Sequence, residues 1–435
     1  IYPLKEKGNL FNLILIILRL MKLPFVACNG LALSLYDNCL DNLDDTDAVE
    51  DILAVADLSP LLQFEECTFL HTIYDIAKET ALSPTYLTNS IGHEHYENLI
   101  SSILLKCSIF YESSDEQKRV LLVLLWCRFQ RQLLSLQQHN GNLESEFIKK
   151  ARNQFKNLIK LDVNKSVILI YNEMALYEHC VQGPNGSLEK VSKIYVNLLS
   201  RYDETVYFTA VDLAHSFVTY SEILISRNEN LKALQTLIAY ALGNSPDYTE
   251  IPSSVKKLSA LRRITEHLDN LINIQKNVET MTLEQYILPD MTVTLIKIHL
   301  LILYLVNNSA DAVTYCEKLL KIFIQNNDRH RFLRERIWQI YILVTNLPSR
   351  QICKPYNLIY TKLCDALKEF PRNLYFQLRL GMITSVPWYK VKEALLKNPS
   401  ALSIVFIVAS AKYRITIQSN DFLEIPKNIK HIDQE

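Results

Sequence analysis

Glycine is scarce in this chain, with 8 residues in 435. Tight-turn-rich β folds and phosphate-cradling loops both depend on glycine, so both are disfavoured from the outset. Other signatures are missing too: no Gly-x-Ser-x-Gly elbow, Walker loop, His-Glu-x-x-His pair, Cys-x-x-Cys pair or Gly-x-Gly-x-x-Gly loop occurs. Without them, nucleophilic hydrolysis, nucleotide hydrolysis, zinc catalysis and dinucleotide chemistry lack their usual residues. The chain therefore reads as non-enzymatic, with no cofactor and no metal site.

Charge of one sign is lacking as well. The formal net charge is -1, so no overall positive field recruits nucleic acid or an anionic membrane, and any such contact must be local. The nine Cys are scattered singly, and Cys107, Cys127, Cys180 and Cys316 sit inside apolar helical pattern, as reduced thiols of a nuclear or cytosolic protein do. No apolar run reaches the ~20 residues that a membrane span requires. Leu10–Leu18 is interrupted by Asn12 and closed by Arg19 and Lys22, with no small-x-small cleavage site after it, so it reads as a buried helix rather than a secretory signal. Leu295–Val306 is interrupted by Lys297 and His299 and reads as an inner helix. The chain opens at Ile1 with no initiator Met, as expected of a fragment of something longer.

What is present is helical periodicity, about half of the residues being apolar (49%). Between Lys118 and Leu199 the same residue types return at the same places. Trp126 and Phe129 stand three apart in one helix, and Tyr171, Met174 and Glu178 take the equivalent places in the next but one. Ala151 precedes Phe155 by four, as Val191 precedes Tyr195. Phe217 and Tyr220 with Ala233 and Leu237 continue the pattern, which returns in altered form at Trp338 and Tyr341, with Pro371 and Pro399 closing later helices. Residues three and four apart share a face, so each pair of helices forms a hairpin whose apolar stripe is buried only by stacking on its neighbours. A period of 42 to 46 residues predicts an all-α solenoid of helical hairpins. Predicted helices cover 118–138, 146–160, 165–180, 187–200, 205–226, 230–242, 255–276, 282–307 and 309–325.

The aromatic, bulky and acidic positions of the first helix, followed by Ala-x-x-x-aromatic on the second, resemble half-a-TPR (HAT) repeats of RNA-processing proteins. Within that class, Leu121–Phe129, Lys149–Leu161 and Leu169–Glu178 resemble the nuclear-RNA-interference-defective family of nuclear exosome regulators. That family has a Leu-rich stretch ending in Arg-Phe, here Arg128-Phe129, and a helix ending in Leu-Lys, here Leu158-Ile159-Lys160. A Leu-Trp-x-x-Tyr-Ala-x-Leu-Glu helix follows: Ala175 and Glu178 match it, while Tyr171 replaces Trp and Met174 replaces Tyr. Gln130 stands where an acid is expected. The resemblance implies a right-handed α-solenoid and a non-catalytic nuclear scaffold in RNA surveillance, acting with the exosome's RNA helicase and linked to nuclear RNA interference and splicing. The helicase-binding segment of the family precedes its repeats and has no match here. A HAT scaffold of another RNA-processing complex, or a repeat protein contacting RNA directly, stays open.

The expected organisation is an N-terminal helical region over 1–112, repeats over 113–243, further repeats and a cap over 255–417, and a loose tail over 418–435. The first region holds a loop at 37–51 with seven acids and no base. His93 and His95, two apart, read as a polar loop rather than metal ligands. Two basic groups are the candidate contacts for a protein partner or RNA: Lys256, Lys257, Arg262 and Arg263, and the run Arg329, His330, Arg331, Arg334 and Arg336. Arg331 and Arg334 fall at helical neighbour spacing and are expected to face one partner together.

Overall fold

The computed structural model describes residues 7–21, 60–61, 69–73, 75–76, 93–139, 141, 145–200, 210–275, 278–324, 327–347, 358–371, 373–397 and 401–429. These residues form seventeen α-helices and no strand. In chain order they are α1 Lys7–Leu20, α2 His93–Phe110, α3 Glu116–His139, α4 Ser145–Lys160, α5 Ile168–Gln182, α6 Glu189–Leu199, α7 Val211–Ser226 and α8 Asn230–Leu242. There follow α9 Ser254–Gln275, α10 Leu283–Ile287, α11 Met291–Leu305, α12 Ser309–Ile322, α13 Asp328–Asn346, α14 Leu358–Glu369, α15 Leu374–Met382, α16 Trp388–Leu396 and α17 Ala401–Ile429.

The apolar pattern sorts these helices into an inner and an outer row. α4 buries only Ala151 and Phe155, and α6 only Val191, Tyr195, Leu198 and Leu199, so each has one narrow stripe and lies outside. α7 buries every residue from Ser216 to Ile225, and α11 nearly all from Thr292 to Leu303. A helix apolar all round has to be enclosed. The inner helices follow one another in space as α3, α5, α7, α11 and α13, and the core runs continuously from Phe11 to Ala409 across the loop at 244–253.

The hairpin anchors meet as the spacing requires. Phe155 sits between the inner helices, 5.1 Å from Trp126 and 5.3 Å from Tyr177, and Phe217 meets Tyr240 at 5.2 Å. Ala151 is buried, where a larger side chain would hold α4 off its neighbours. Tyr177, rather than Tyr171, is the counterpart of Trp126 on α5. Tyr171 and Met174 are half-buried, the Tyr171 hydroxyl donating to the Lys165 carbonyl at 3.2 Å. Glu178 is buried and accepts a fork of two 2.6 Å hydrogen bonds from Arg152 of α4.

Three helices, α7, α8 and α11, end by the same device. Gly243 (φ 75°), Asn228 (φ 60°) and Asn307 (φ 63°) adopt the left-handed conformation, and the following N–H groups bond back to Ala239, Leu224 and Leu303. Gly183 (φ 64°) closes α5 with a bond to Cys180. Such reversals satisfy the carbonyls that a helix end leaves bare.

Several expectations need correction. His93 and His95 lie in the first turn of α2, not in a loop. The predicted helix over 282–307 is two helices: Pro289 cannot continue a helix, and Asp290 caps the N-terminus of α11 by accepting from the Val293 N–H at 3.0 Å. The short first piece, α10, packs on α3 rather than extending α11. The helix α17 runs on to Ile429 through most of the stretch expected to be a loose tail. Glu284–Leu305 is long and apolar enough to cross a membrane by composition, yet it is broken at Leu288–Asp290 and mostly buried against other helices. The acidic 37–51 stretch, residues 205–209 and Pro399 lie outside the described residues.

Near the C-terminus Trp338 is buried, stacks on Tyr341 with ring centroids 5.7 Å apart, and donates its indole N–H to Glu369 of α14 at 3.2 Å. Trp338→Ala is expected to lower unfolding free energy by about 3 to 5 kcal/mol. Denaturant unfolding checks this; a midpoint equal to the parent's would show that Trp338 anchors nothing.

Candidate functional site

The two basic groups do not form one surface. Within α13, Arg329 is buried and pairs with Asp290 at 2.7 Å while donating to Gln275 at 2.7 Å. Arg334 grips Glu369 of α14 with both arms of its guanidinium (2.5 and 2.6 Å) and also donates to the carbonyls of Leu320 and Phe323 at the end of α12. Arg336 lies over the Phe332 ring and donates to Gln339 and to the Tyr286 carbonyl of α10. His330 is buried, and Arg331 is the exposed member of the run. So Arg331 and Arg334 do not face one partner together: Arg334 already binds α12 and α14. In the other group Arg263 donates to the Leu242 carbonyl at 2.8 Å, Lys257 is half-buried, and Lys256 and Arg262 are exposed.

These arginines share a structural role. Arg227 donates to the Gly183 carbonyl, and Arg414 to the carbonyls of Ile383 and Val386, so Arg263, Arg334, Arg227 and Arg414 each stand at the C-terminal end of a neighbouring helix. A guanidinium there satisfies bare carbonyls and meets the negative end of the helix dipole.

The inner row holds a cleft of about 210 Å³. Its walls come from α3, α5, α7, α11, α13 and α15, and residues 287–290 after α10 reach across one end. Sequence reading overlooked its charges, which lie singly within apolar helices. Arg131 of α3 pairs with Glu173 of α5 at 2.8 Å, Arg128 approaches the same carboxylate at 3.7 Å, and Lys297 of α11 pairs with Glu222 of α7 at 2.6 Å. His215, beside them, is pushed down to about 3, first by burial and then by the positive charges of Lys297 and Arg128. It is neutral at pH 7 and a poor proton acceptor. The signal available was a charge interrupting each apolar run, as Lys297 does in α11.

Thiol chemistry is disfavoured in the same way, burial pushing the Cys127 and Cys316 thiols up and away from the reactive thiolate. Among the described residues no group of three His, Cys, Asp or Glu is placed to hold a metal ion. The cleft's charges hold helices to one another. A second cleft of about 550 Å³ lies at the N-terminal ends of α3, α5, α7 and α11, lined by Glu116, Asp212, Glu284, Asp290 and Arg329 among others. Burial, followed by the Glu116 charge, raises Asp212 to about 6.

With the geometry in view, known proteins offer no guide: no family model, no curated protein and no solved structure matches the chain.

Two measurements check the electrostatics. Glu222 is 2% exposed and Lys297 17%, so Glu222→Leu alone strands a buried cation and is expected to cost about 3 kcal/mol, whereas Glu222→Leu/Lys297→Met recovers most of the loss. A double variant as unstable as the single one would contradict a paired role. Asp212 in the folded chain keeps a proton up to about pH 6 that the unfolded chain releases near its ordinary 3.8. Its contribution to stability therefore falls as pH rises between those values. Asp212→Asn should raise the melting temperature at pH 7.5, by up to about 3 kcal/mol of stability, and leave it little changed at pH 4. Equal shifts at both pH values would exclude the raised carboxyl.

Proposed function

We propose that the chain is a non-catalytic nuclear scaffold of RNA surveillance and processing, built as a right-handed α-solenoid of HAT/TPR-like hairpins. It acts with the RNA helicase that delivers substrates to the nuclear exosome, in processes linked to nuclear RNA interference and splicing. The observation that carries this reading is the Lys118–Leu199 stretch, whose repeat residues resemble those of the nuclear-RNA-interference-defective family. Two of the matching positions fill structural posts of a stacked hairpin: Ala175 is fully buried and Glu178 receives the Arg152 fork from the outer helix. Neutral buried histidines and protonated buried thiols fit a protein whose interior holds helices rather than performs chemistry.

Affinity capture with the tagged chain from nuclear extract tests the reading. Enrichment of the exosome helicase, or of other RNA-processing factors, over a tag-only control is the expected result. Recovery of cytosolic or membrane complexes in their place would overturn it.

A further inference from the structure

The first turn of α9 carries a feature that the inner row does not explain. Ile251, Val255 and Leu258 are 76%, 73% and 67% exposed, the three most exposed large apolar side chains among the described residues. Val255 and Leu258 stand three apart on one face of α9, and Ile251 is exposed in the segment that leads into the helix, three residues before its first residue. The patch is held outward by its surroundings. Pro252 is buried, Gln235 of α8 donates to the Glu250 carbonyl at 2.7 Å, and Ser253 caps α9 by accepting from the Lys256 N–H at 3.2 Å. Arg263 ties the helix to the end of α8, while Ala260, Ile264, Leu268 and Ile272 bury its opposite face.

Cations flank the patch. Lys256, Lys257, Arg262 and Arg263 stand beside or one turn beyond the apolar residues, with Asp247 acting on Lys256 from further off and two acids in contact, Glu250 and Glu266. Those acids meet Lys256 and Arg262 in exposed ion pairs at 3.2 and 2.8 Å, which a partner's carboxylates can replace at little cost. We propose that this face docks an amphipathic, acidic helix of a partner protein. Aliphatic residues of the partner cover Ile251, Val255 and Leu258, and its flanking Asp or Glu residues meet Lys256 and Arg262. A second copy of the chain fits poorly, since a two-fold contact would set the same cations against one another. Single-stranded RNA fits poorly too, because bases stack on aromatic or guanidinium planes, not on Ile, Val and Leu. The proposal deepens the scaffold reading by naming a partner surface, and rests on that reading only for the source of the partner.

A fluorescently labelled synthetic helix with Leu along one face and Glu along the other is the probe, titrated with the full chain at low salt. Saturable binding is expected, weakened at least about tenfold by Val255→Ser/Leu258→Ser, by Lys256→Glu/Arg262→Glu, or by exchanging the probe's Glu for Lys. All four positions are exposed, so thermal melts matching the parent's establish that the variants fold. Absence of binding, indifference to these changes, or substitution-sensitive binding of poly(U) RNA or phosphatidylserine vesicles in place of the peptide would overturn the proposal. Retained peptide binding with failed nuclear capture would overturn the nuclear reading alone, and nuclear capture unaffected by Val255→Ser/Leu258→Ser, with no peptide bound, would overturn this one alone.

Discussion

Helices enclosed on every side leave their bare carbonyls and their charges no water to turn to, and the inner row of this chain is built around that constraint. From Ser216 to Ile225 no residue of α7 reaches solvent appreciably, and α11 is nearly as enclosed. Each buried polar group must then be met within the protein or cost on the order of 1–3 kcal/mol. Left-handed Asn228, Gly243 and Asn307 turn the chain back to close three helix ends, and arginines from neighbouring helices meet carbonyls at the ends of α5, α8, α12 and α15. Inner-row charges are matched across adjacent helices, Arg131 with Glu173 and Lys297 with Glu222. Apolar burial stacks the hairpins, and these pairings and caps meet polar groups that the stacking encloses.

The same constraint explains why α10 leaves the row. Pro289 ends it, and the Asp290 carboxylate both caps α11 and receives Arg329 from α13. Tyr286 of α10 is buried edge-on against Phe332, its carbonyl takes the Arg336 guanidinium, and Glu284 lies 3.7 Å from Lys118 of α3. A five-residue helix thereby ties the early helix α3 to the late helix α13. The arginines of α13 look like a basic surface in one dimension and act as internal struts in three.

Periodicity made the helices and their buried anchors legible. Ala151 and Phe155, Phe217 and Tyr220, and Trp338 and Tyr341 are buried because three- and four-residue spacing places them on one face. Tyr177 was less legible than Tyr171, because a helix of Leu, Ile, Tyr and Met has no polar face to mark which residue turns inward. The break at Leu288–Asp290 was marked in the sequence by Pro289, a helix stop, followed by the cap residue Asp290, and the helix predicted over 282–307 ran through that signal. The roles of Arg329, Arg334 and Arg336 depend on partners 11 to 54 residues away, which no local pattern encodes. The patch on α9 was half visible: its cations stood out in the sequence, while nothing local marks Ile251, Val255 and Leu258 as exposed.

The inner row is a packed, charge-matched core, and the proposed scaffold meets its partner from outside, at the start of α9. Hydrogen–deuterium exchange on the chain alone and in its captured nuclear complex tests that claim most directly. Slow exchange in α7 and α11 that is unchanged by the partner, with new protection at the first turn of α9, is the result predicted. New protection confined to the cleft-lining helices α3, α5, α7 and α11 would contradict it.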